Sequence, residues 1–250
     1  MSIVTDYRKQ INCVLDQILE EELPIMTRAA QEIADRLAAD RLLYVFGPGG
    51  HSAMAAEEIF YRAGGLVPVS PILDPAIQLS RGAKASTEYE RVAEHGSALV
   101  ASYNIGPGDV LIVVNVAGIN AMSIEAATYA RENGVYVISL SSHEWSSSVP
   151  SDHPARHPSK QNLKDVSDMA IDMKVPLGDG VLRIPGLLDA VGPVSTVAMS
   201  FILQSMVLQV IEAMAQRDAH PPIWRSSNIP GGDEANKGQF AAYSSRIQHL

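Results

Sequence analysis

The chain has 250 residues, enough for one large domain or two small ones. Hydrophobic residues make up 46% and charged residues 19%, a balance typical of globular proteins that excludes an intrinsically disordered chain. The formal charge is −9 and no basic run occurs, which argues against a nucleic acid partner, and the single cysteine, Cys13, excludes an internal disulfide framework.

The N-terminal forty residues have a helical pattern. Apolar side chains recur at three- and four-residue spacing between Ile11 and Leu19, and Pro24 opens a second segment. The sequence therefore predicts an N-terminal helical hairpin or arm. Its first residues lack the positive and then apolar order of a signal peptide, so we expect a cytoplasmic protein.

A strand, a glycine-rich loop and a helix are predicted next. The apolar run 42–46 leads into Gly-Pro-Gly-Gly-His-Ser at 47–52, and a helical pattern continues to Arg62. A second strand is expected at 66–69, followed by a loop and a helix over 87–102.

The clearest buried strand is 110–114, because its residues are apolar without alternation. The loop 115–120 follows it and leads into a helix that ends before a further strand at 135–140. Residues 141–164 are rich in Ser, Pro and His and predict a long ordered loop.

A strand near 169–173, a turn at 178–180 and a long helix over 194–216 complete the pattern, before an irregular tail with a short last helix. Residues 193–211 carry no charge. Ser, Thr and Gln side chains interrupt them, however, and favour a central core helix over a membrane span.

Alternating strands and helices predict a parallel sheet with helices on both faces, a three-layer αβα sandwich of the α/β class. We expect one domain, with N-terminal helices at 1–39, the core at 40–217 and a tail at 218–250. Ligands of such folds bind beyond the carboxyl ends of the strands, which directs attention to the loops after 46, 114 and 140.

The glycine-rich loop suits an anion or a polyol, because it offers backbone N–H groups at a helix N-terminus and the Ser52 hydroxyl. It is not the dinucleotide fingerprint, since Ser52 stands at the third glycine position, and no Lys follows as in a P-loop. These departures disfavour a nicotinamide dehydrogenase. A tight turn without a ligand stays an alternative.

The order of these segments resembles a sugar isomerase (SIS) domain. The residues that carry the resemblance are Gly47-Pro48-Gly49-Gly50-His51-Ser52, 109–114, Gly118-Ile119-Asn120 with Glu125, and 137–142. A narrower group of proteins with a single SIS domain is similar through Glu57-Glu58, 61–65, 148–151, 157–159 and 231–234. The resemblance implies a five-stranded parallel sheet of flavodoxin-like form, a homodimer or homotetramer, and a phosphosugar held by Ser- and Thr-rich loops at subunit boundaries.

The chain departs from this family after the third strand. SIS domains usually carry Ser-x-Ser-Gly there, whereas this chain has Asn115-Val116-Ala117-Gly118. Each missing neutral hydrogen bond is worth about 0.5–1.5 kcal/mol, so a phosphate could still bind through amides and the helix dipole, though more weakly. Alternatively, the ligand is an unphosphorylated or differently phosphorylated sugar.

Aldose–ketose isomerisation needs a base that moves a proton between adjacent carbons and a polar partner at the carbonyl. Glu57 and Glu58 are the candidate bases, but they lie about 100° apart on one helix, so at most one faces the pocket. A solvated face with a salt bridge is the alternative for this pair. His51 is a candidate donor. The candidate ligand-binding residues are Gly47, Gly49, Gly50, Ser52, Asn115, Gly118, Asn120, Ser141, Ser142, Asp233 and Glu234.

The sequence therefore predicts a protein that binds a sugar phosphate or a related small carbohydrate, with isomerisation as the leading interpretation. A non-catalytic phosphosugar sensor and a lyase or deglycase stay open as alternatives. We expect no metal, since His143, His153 and His157 lack a compact two-His metal spacing, and no cofactor and no membrane partner. His95 lies in a helical pattern and is interpreted as structural.

Overall fold

The computed structural model describes residues 2–217 and 220–250. Its elements are α1 (Ile3–Ala38), β1 (Leu43–Phe46), α2 (Met54–Ile59), β2 (Val69–Ile72), α3 (Ala83–Tyr89), α4 (His95–Ala101), β3 (Val110–Val114), α5 (Ala121–Glu132), β4 (Tyr136–Ser141), α6 (His143–Ser148), β5 (Met169–Asp172), β6 (Gly180–Leu182), β7 (Val191–Pro193), α7 (Ser195–Ala215) and α8 (Gly232–Tyr243). The predicted boundary between core and tail falls at 217/218, and residues 218 and 219 lie outside the described residues.

The five main strands form one parallel sheet in the order β2-β1-β3-β4-β5. This confirms the α/β class and the five-stranded parallel sheet. The short strands β6 and β7 form a separate antiparallel hairpin.

Both faces of the sheet are buried, and the central strand β3 shows why its sequence lacks alternation. Val110, Ile112 and Val114 belong to a core shared with α1, α2 and α7. Leu111 and Val113 belong to the opposite core, shared with α5 and the C-terminal segment. A strand covered on both faces is apolar throughout.

The N-terminal segment is one continuous helix, so the prediction of a hairpin opened by Pro24 is wrong and that of a helical arm is right. Pro24 lies on the exposed side of α1, where its missing N–H leaves a carbonyl that water can satisfy. The opposite side is buried from Ile18 to Leu37, largely against α7. This burial outweighs the cost of the proline.

Three further elements differ from the prediction. Strand β2 lies at Val69–Ile72 and contains Pro71, which an edge strand tolerates because one side of it has no hydrogen-bonded neighbour. The helix expected over 87–102 is two helices, separated at Glu94, whose φ of 68° breaks the helical path. The long loop expected after β4 begins with the short helix α6.

Within the described residues, α7 is the helix that is long and apolar enough to cross a membrane by length and composition. It packs against α1 and α2, and its inward side belongs to the core through Ala198, Ile202 and Met206. A central core helix has the same composition.

Candidate functional site

The strand order places the candidate site at the carboxyl edge of the sheet. The chain leaves β1 toward one side, to β2, and leaves β3 toward the other side, to β4. The crevice between β1 and β3 is therefore the topological switch point, where open α/β sheets bind their ligands. The loops after these two strands, 47–52 and 115–120, flank this crevice.

The buried side chain of Asn115 joins the two loops. Its Oδ1 accepts a hydrogen bond of 2.7 Å from the Gly118 N–H, and its Nδ2 donates to the Pro48 carbonyl at 3.5 Å. Asn115 therefore links the two loops that flank the crevice. Its side chain also takes up the hydrogen bond that the Gly118 N–H could donate to a ligand.

The serines at the end of β4 have different surroundings. Ser142 caps α6 by accepting from the Trp145 N–H and donates to the Val175 carbonyl. The buried Ser141 Oγ has no hydrogen-bond partner in the described residues. It lies against Gly118, whose φ is 64° and where a Cβ would lie 3.1 Å from this hydroxyl. Ser141 thus has unused hydrogen-bonding capacity at this edge.

Asn120 precedes α5 in an extended conformation, but its side chain makes no capping hydrogen bond. Its Nδ2 instead donates to the Ala155 carbonyl at 3.3 Å. It thereby holds the segment after α6 against the loop 115–120.

The glycine loop is tightly folded and attached to α3. A Cβ at Gly47 would lie 1.7 Å from the Ser52 carbonyl oxygen, so this turn accepts only glycine. The Gly50 N–H donates to Ser86 Oγ at 3.0 Å, and that hydroxyl donates to the Ile77 carbonyl at 2.6 Å. Ser52 is buried in the loop and His51 is exposed.

A carboxyl group that the sequence did not single out lies on this loop. Gly49 has a φ of 87°, and a Cβ there would lie 1.8 Å from Glu90 Oε2. The Glu90 carbonyl accepts from the Met122 N–H in the first turn of α5, at 3.1 Å. Glu90 therefore contacts the glycine loop with its side chain and the N-terminus of α5 with its backbone.

Burial raises the pKa of Glu90 to about 7, against the opposing effect of the nearby Arg91 charge. A carboxyl group that titrates near neutral pH can both take and return a proton, the property needed for acid–base catalysis. This group is the strongest candidate for chemistry at the crevice.

The two predicted bases have partners of their own. Glu58 accepts from Arg62 at 3.1 Å and from Gln204 of α7 at 3.1 Å. Glu57 accepts from Gln78 at 3.3 Å. None of these three contacts attaches the two carboxylates to the glycine loop.

His95 has a polar partner that its sequence pattern did not reveal. Its Nε2 lies 3.3 Å from Asp74 Oδ2, just beyond the carboxyl end of β2, and its ring packs edge-on against Tyr89 at 4.9 Å. Glu90 follows Tyr89 directly. The imidazole of His95, which is oriented by the Asp74 carboxylate, therefore lies five residues after Glu90, whose carboxyl group contacts the glycine loop.

Asp233 and Glu234 occupy the first turn of α8. This turn packs against the segment that follows Trp224, at the end of α2 remote from the glycine loop. The structure therefore places these two candidates apart from the loops 47–52 and 115–120.

We expect Ser86→Ala to loosen the glycine loop. The substitution leaves the Gly50 N–H without its acceptor and the Ile77 carbonyl without its donor, at a cost of about 1–3 kcal/mol in the free energy of unfolding. Urea denaturation measures this loss, and Ser97→Ala, which removes an exposed hydroxyl bonded only to the Glu94 carbonyl, is the matched control. Equal stabilities of the two variants would contradict this role of Ser86.

The sheet order and the crevice at its switch point define the chain as an α/β protein of the doubly wound kind. Residues 6–142 match the SIS domain family model. The chain belongs to this family. More narrowly, it is 36% identical over 237 residues to a UPF0309 protein of Listeria monocytogenes serotype 4b, covering 95% of this chain and 94% of the relative. It is 39% identical over 251 residues to a UPF0309 protein of Brucella canis, covering 100% of both chains. The chain is a member of the UPF0309 group.

Solved structures of the same fold include two phosphoheptose isomerases. The protein from Francisella tularensis has a TM-score of 0.54 at 14% identity, covering 85% of this chain and 100% of that one. The protein from Neisseria gonorrhoeae has a TM-score of 0.53 at 15% identity, covering 84% of this chain and 97% of that one. At these identities the likeness establishes the fold alone.

Proposed function

We propose that this protein binds a sugar phosphate in the crevice between the loops 47–52 and 115–120 and isomerises it between its aldose and ketose forms. The observation that carries the proposal is the carboxyl group of Glu90, which lies on the glycine loop with a pKa of about 7. Membership of the SIS family supports the substrate class.

Glu90 acts as the base in this proposal. Its carboxylate takes the proton from the carbon next to the aldehyde while the aldehyde oxygen gains a proton, which gives an enediol. It then returns the proton to the former aldehyde carbon while the hydroxyl on the neighbouring carbon loses its proton, which gives the ketose. A group whose pKa is close to the working pH does both steps well, because its carboxylate is basic enough to take the proton and its acid form is acidic enough to return it. His95, oriented by Asp74, is the candidate for proton transfer at the sugar oxygens.

In this proposal the phosphate binds at the N-terminus of α5. The amide N–H groups of Val116 and Ala117 donate to no acceptor within the described part of the chain, and both residues are partly exposed. Free amides beside a helix N-terminus attract an anion. They supply in part what the two absent serine hydroxyls supply in other SIS domains.

We further propose a cytoplasmic homodimer or homotetramer. Support comes from large apolar side chains that are exposed on the outer sides of α1 and α7, among them Leu19, Leu23 and Leu208. Neighbouring exposed apolar residues favour contact with another protein surface. Light scattering after size-exclusion chromatography measures the assembly, and a monomer would contradict it.

A non-catalytic sugar phosphate sensor is the second candidate. It is favoured by Asn115, which takes up the Gly118 amide and so reduces the number of donors left for a phosphate. The two candidates share binding and differ in turnover.

The deciding experiment is a panel of sugars and their phosphates. A ligand at 100 times its dissociation constant adds about 2.7 kcal/mol to the folded state, so thermal unfolding detects binding without knowledge of the reaction. We expect stabilisation by a phosphorylated sugar and not by the matched free sugar, together with conversion of that phosphate between aldose and ketose. Binding without conversion would favour the sensor, and stabilisation by free sugars alone would contradict both candidates.

A further inference from the structure

Two segments that the glycine-loop site does not use pack together at the other end of α2. The Gly64 N–H donates to the Trp224 carbonyl at 2.8 Å, and the Trp224 N–H donates to the Gly65 carbonyl at 3.0 Å. Because Gly65 precedes β2, this contact lies toward the amino end of that strand. It is separate from the crevice at the carboxyl edge.

Three aromatic rings form a cluster there. The Tyr61 ring packs edge-on against Trp224, with centroids 4.8 Å apart, and Phe240 lies 5.0 Å from Trp224 and 5.5 Å from Tyr61. Tyr61 has a φ of 48°, an uncommon conformation for a residue with a side chain, and is 44% exposed. The Tyr61 ring is thus held against Trp224 with part of its surface exposed to solvent.

A cavity of about 210 Å³ adjoins this cluster. It is lined by Tyr61, Ala63, Trp224, Arg225, Ser226, Ser227 and Asn228. Trp224 is 2% exposed, and its Nε1 has no hydrogen-bond partner in the described residues. Buried indole N–H groups usually have an acceptor, so an unpaired one close to a cavity is an unusual feature.

The polar side of the cavity is held rigidly. The buried Asn236 accepts from the Arg225 N–H at 3.0 Å and donates to the Arg225 carbonyl at 2.7 Å. A Cβ at Gly232 would lie 1.9 Å from the Ser226 carbonyl oxygen, so α8 begins in direct contact with this loop. The exposed side chains of Ser227 and Asn228 are therefore presented from a fixed backbone.

We propose that this cavity is a second carbohydrate site, which takes the ring of a neutral hexose. The aromatic surface of Tyr61 suits the apolar face of a sugar ring, and the hydroxyl and amide groups of Ser227 and Asn228 suit its hydroxyls. Arg225, the charged lining residue, already donates to the Pro230 carbonyl, which favours a neutral ligand over an anion.

The second tryptophan of the chain, Trp145, allows a direct test. In the full-length Trp145→Phe variant the emission comes from Trp224 alone. We expect a saturable change in this emission on titration with at least one of methyl glucoside, methyl galactoside, methyl mannoside and N-acetylglucosamine, with millimolar affinity. No change with any of the four would overturn the proposal.

Two substitutions locate the binding. Tyr61→Leu keeps apolar bulk and removes the ring, and Asn228→Ala removes polar contacts at the surface; each should weaken the glycoside at least about tenfold, as expected for loss of a main contact. Asn12→Ala, an exposed asparagine on α1, should leave the affinity unchanged. If Tyr61→Leu fails to fold, Asn228→Ala decides, and unchanged affinity in that variant would refute the site.

Glu90→Gln separates this site from the proposed isomerase. The glycoside should bind this variant with the affinity of the parent, because Glu90 lies on the glycine loop. Parallel loss of glycoside binding in this variant would mean that one site does both, and would overturn the second site.

Discussion

Replacing Glu90 by glutamine should lower kcat for the isomerisation by about 10²–10⁴-fold, the usual contribution of a positioned acid–base group. The amide has nearly the shape of the carboxyl group, so it preserves the contact with Gly49 but cannot accept the carbon-bound proton. The dissociation constant of the sugar phosphate should change little. Steady-state kinetics together with calorimetric binding separates these two quantities.

The control for this substitution is Glu88→Gln. Glu88 lies near the end of α3, two residues before Glu90; it is exposed and forms an ion pair with Lys84. It should retain the activity of the parent. Full turnover in Glu90→Gln would show that another group is the base, and Glu57 and Glu58 would be the next candidates.

The pH dependence of kcat/KM should report the same group. Burial raises the pKa of Glu90 to about 7, so the basic carboxylate form accumulates as the pH rises through neutrality. The activity should therefore increase on the acidic side with a midpoint near this value. A midpoint near that of an ordinary exposed glutamate would contradict the role of burial.

The raised pKa also has a consequence for stability. Between the ordinary pKa of a glutamate and about 7, the unfolded chain is ionised at this residue while the folded chain holds the proton. The contribution is thus fully present below the ordinary pKa and is lost as the pH rises through 7. Glu90→Gln removes this loss and should be more stable than the parent at pH 8, by about 1–3 kcal/mol after allowance for partial exposure. The substitution that removes activity is therefore expected to stabilise the fold.

The central strand β3 was predictable because a strand that is buried on both faces is apolar at every position. The run 110–114 is apolar without a break, and β3 occupies these positions. The ends of helices and strands were harder to predict, because the effect of a proline depends on whether its part of the element is exposed or buried. Pro24 lies inside an exposed helix face and Pro71 inside an edge strand, and only the tertiary structure shows that both are tolerated.

The candidate site was predictable where it rests on local sequence and not where it rests on distant contacts. The glycine loop was visible because a turn that excludes a Cβ requires glycine, as at Gly47. Glu90 was not, since it stands among other polar residues and owes its high pKa to burial against Gly49, far away in the chain. Glu57 and Glu58 were closer to the loop in sequence, but their partners on other segments could not be read from spacing.

Replacing Lys174 by methionine should strongly destabilise the fold and leave the crevice itself intact. Its Nζ lies 2.8 Å from Glu21 Oε2, 2.8 Å from Glu22 Oε1 and 3.2 Å from Asp172 Oδ2, and its side chain is 11% exposed. Burial alone would lower the pKa of Lys174, but the hydrogen bonds to Glu21 and Glu22 and the charge of Asp172 raise it above its ordinary value.

This lysine neutralises a cluster that ties α1 to the carboxyl end of β5. The Asp172 N–H donates to Glu22 Oε2, and Asp172 Oδ1 accepts from the His143 N–H at the start of α6. Without the ammonium group, the carboxylates of Glu22 and Asp172, whose side chains are only 12% and 14% exposed, lose their counter-charge and repel each other. Removal of one partner from a buried ion pair costs about 3–5 kcal/mol.

Urea denaturation of Lys174→Met should show this loss in the free energy of unfolding. Two controls separate burial from the mere presence of an ion pair. Lys237→Met removes an exposed partner of Glu234 and should cost less than about 1 kcal/mol. Glu21→Gln should also cost little, because that carboxylate is half exposed and the other two still hold the lysine. A loss in Lys174→Met no larger than in these controls would contradict the cluster as the anchor of α1, since the ammonium group would then contribute no more than a surface charge.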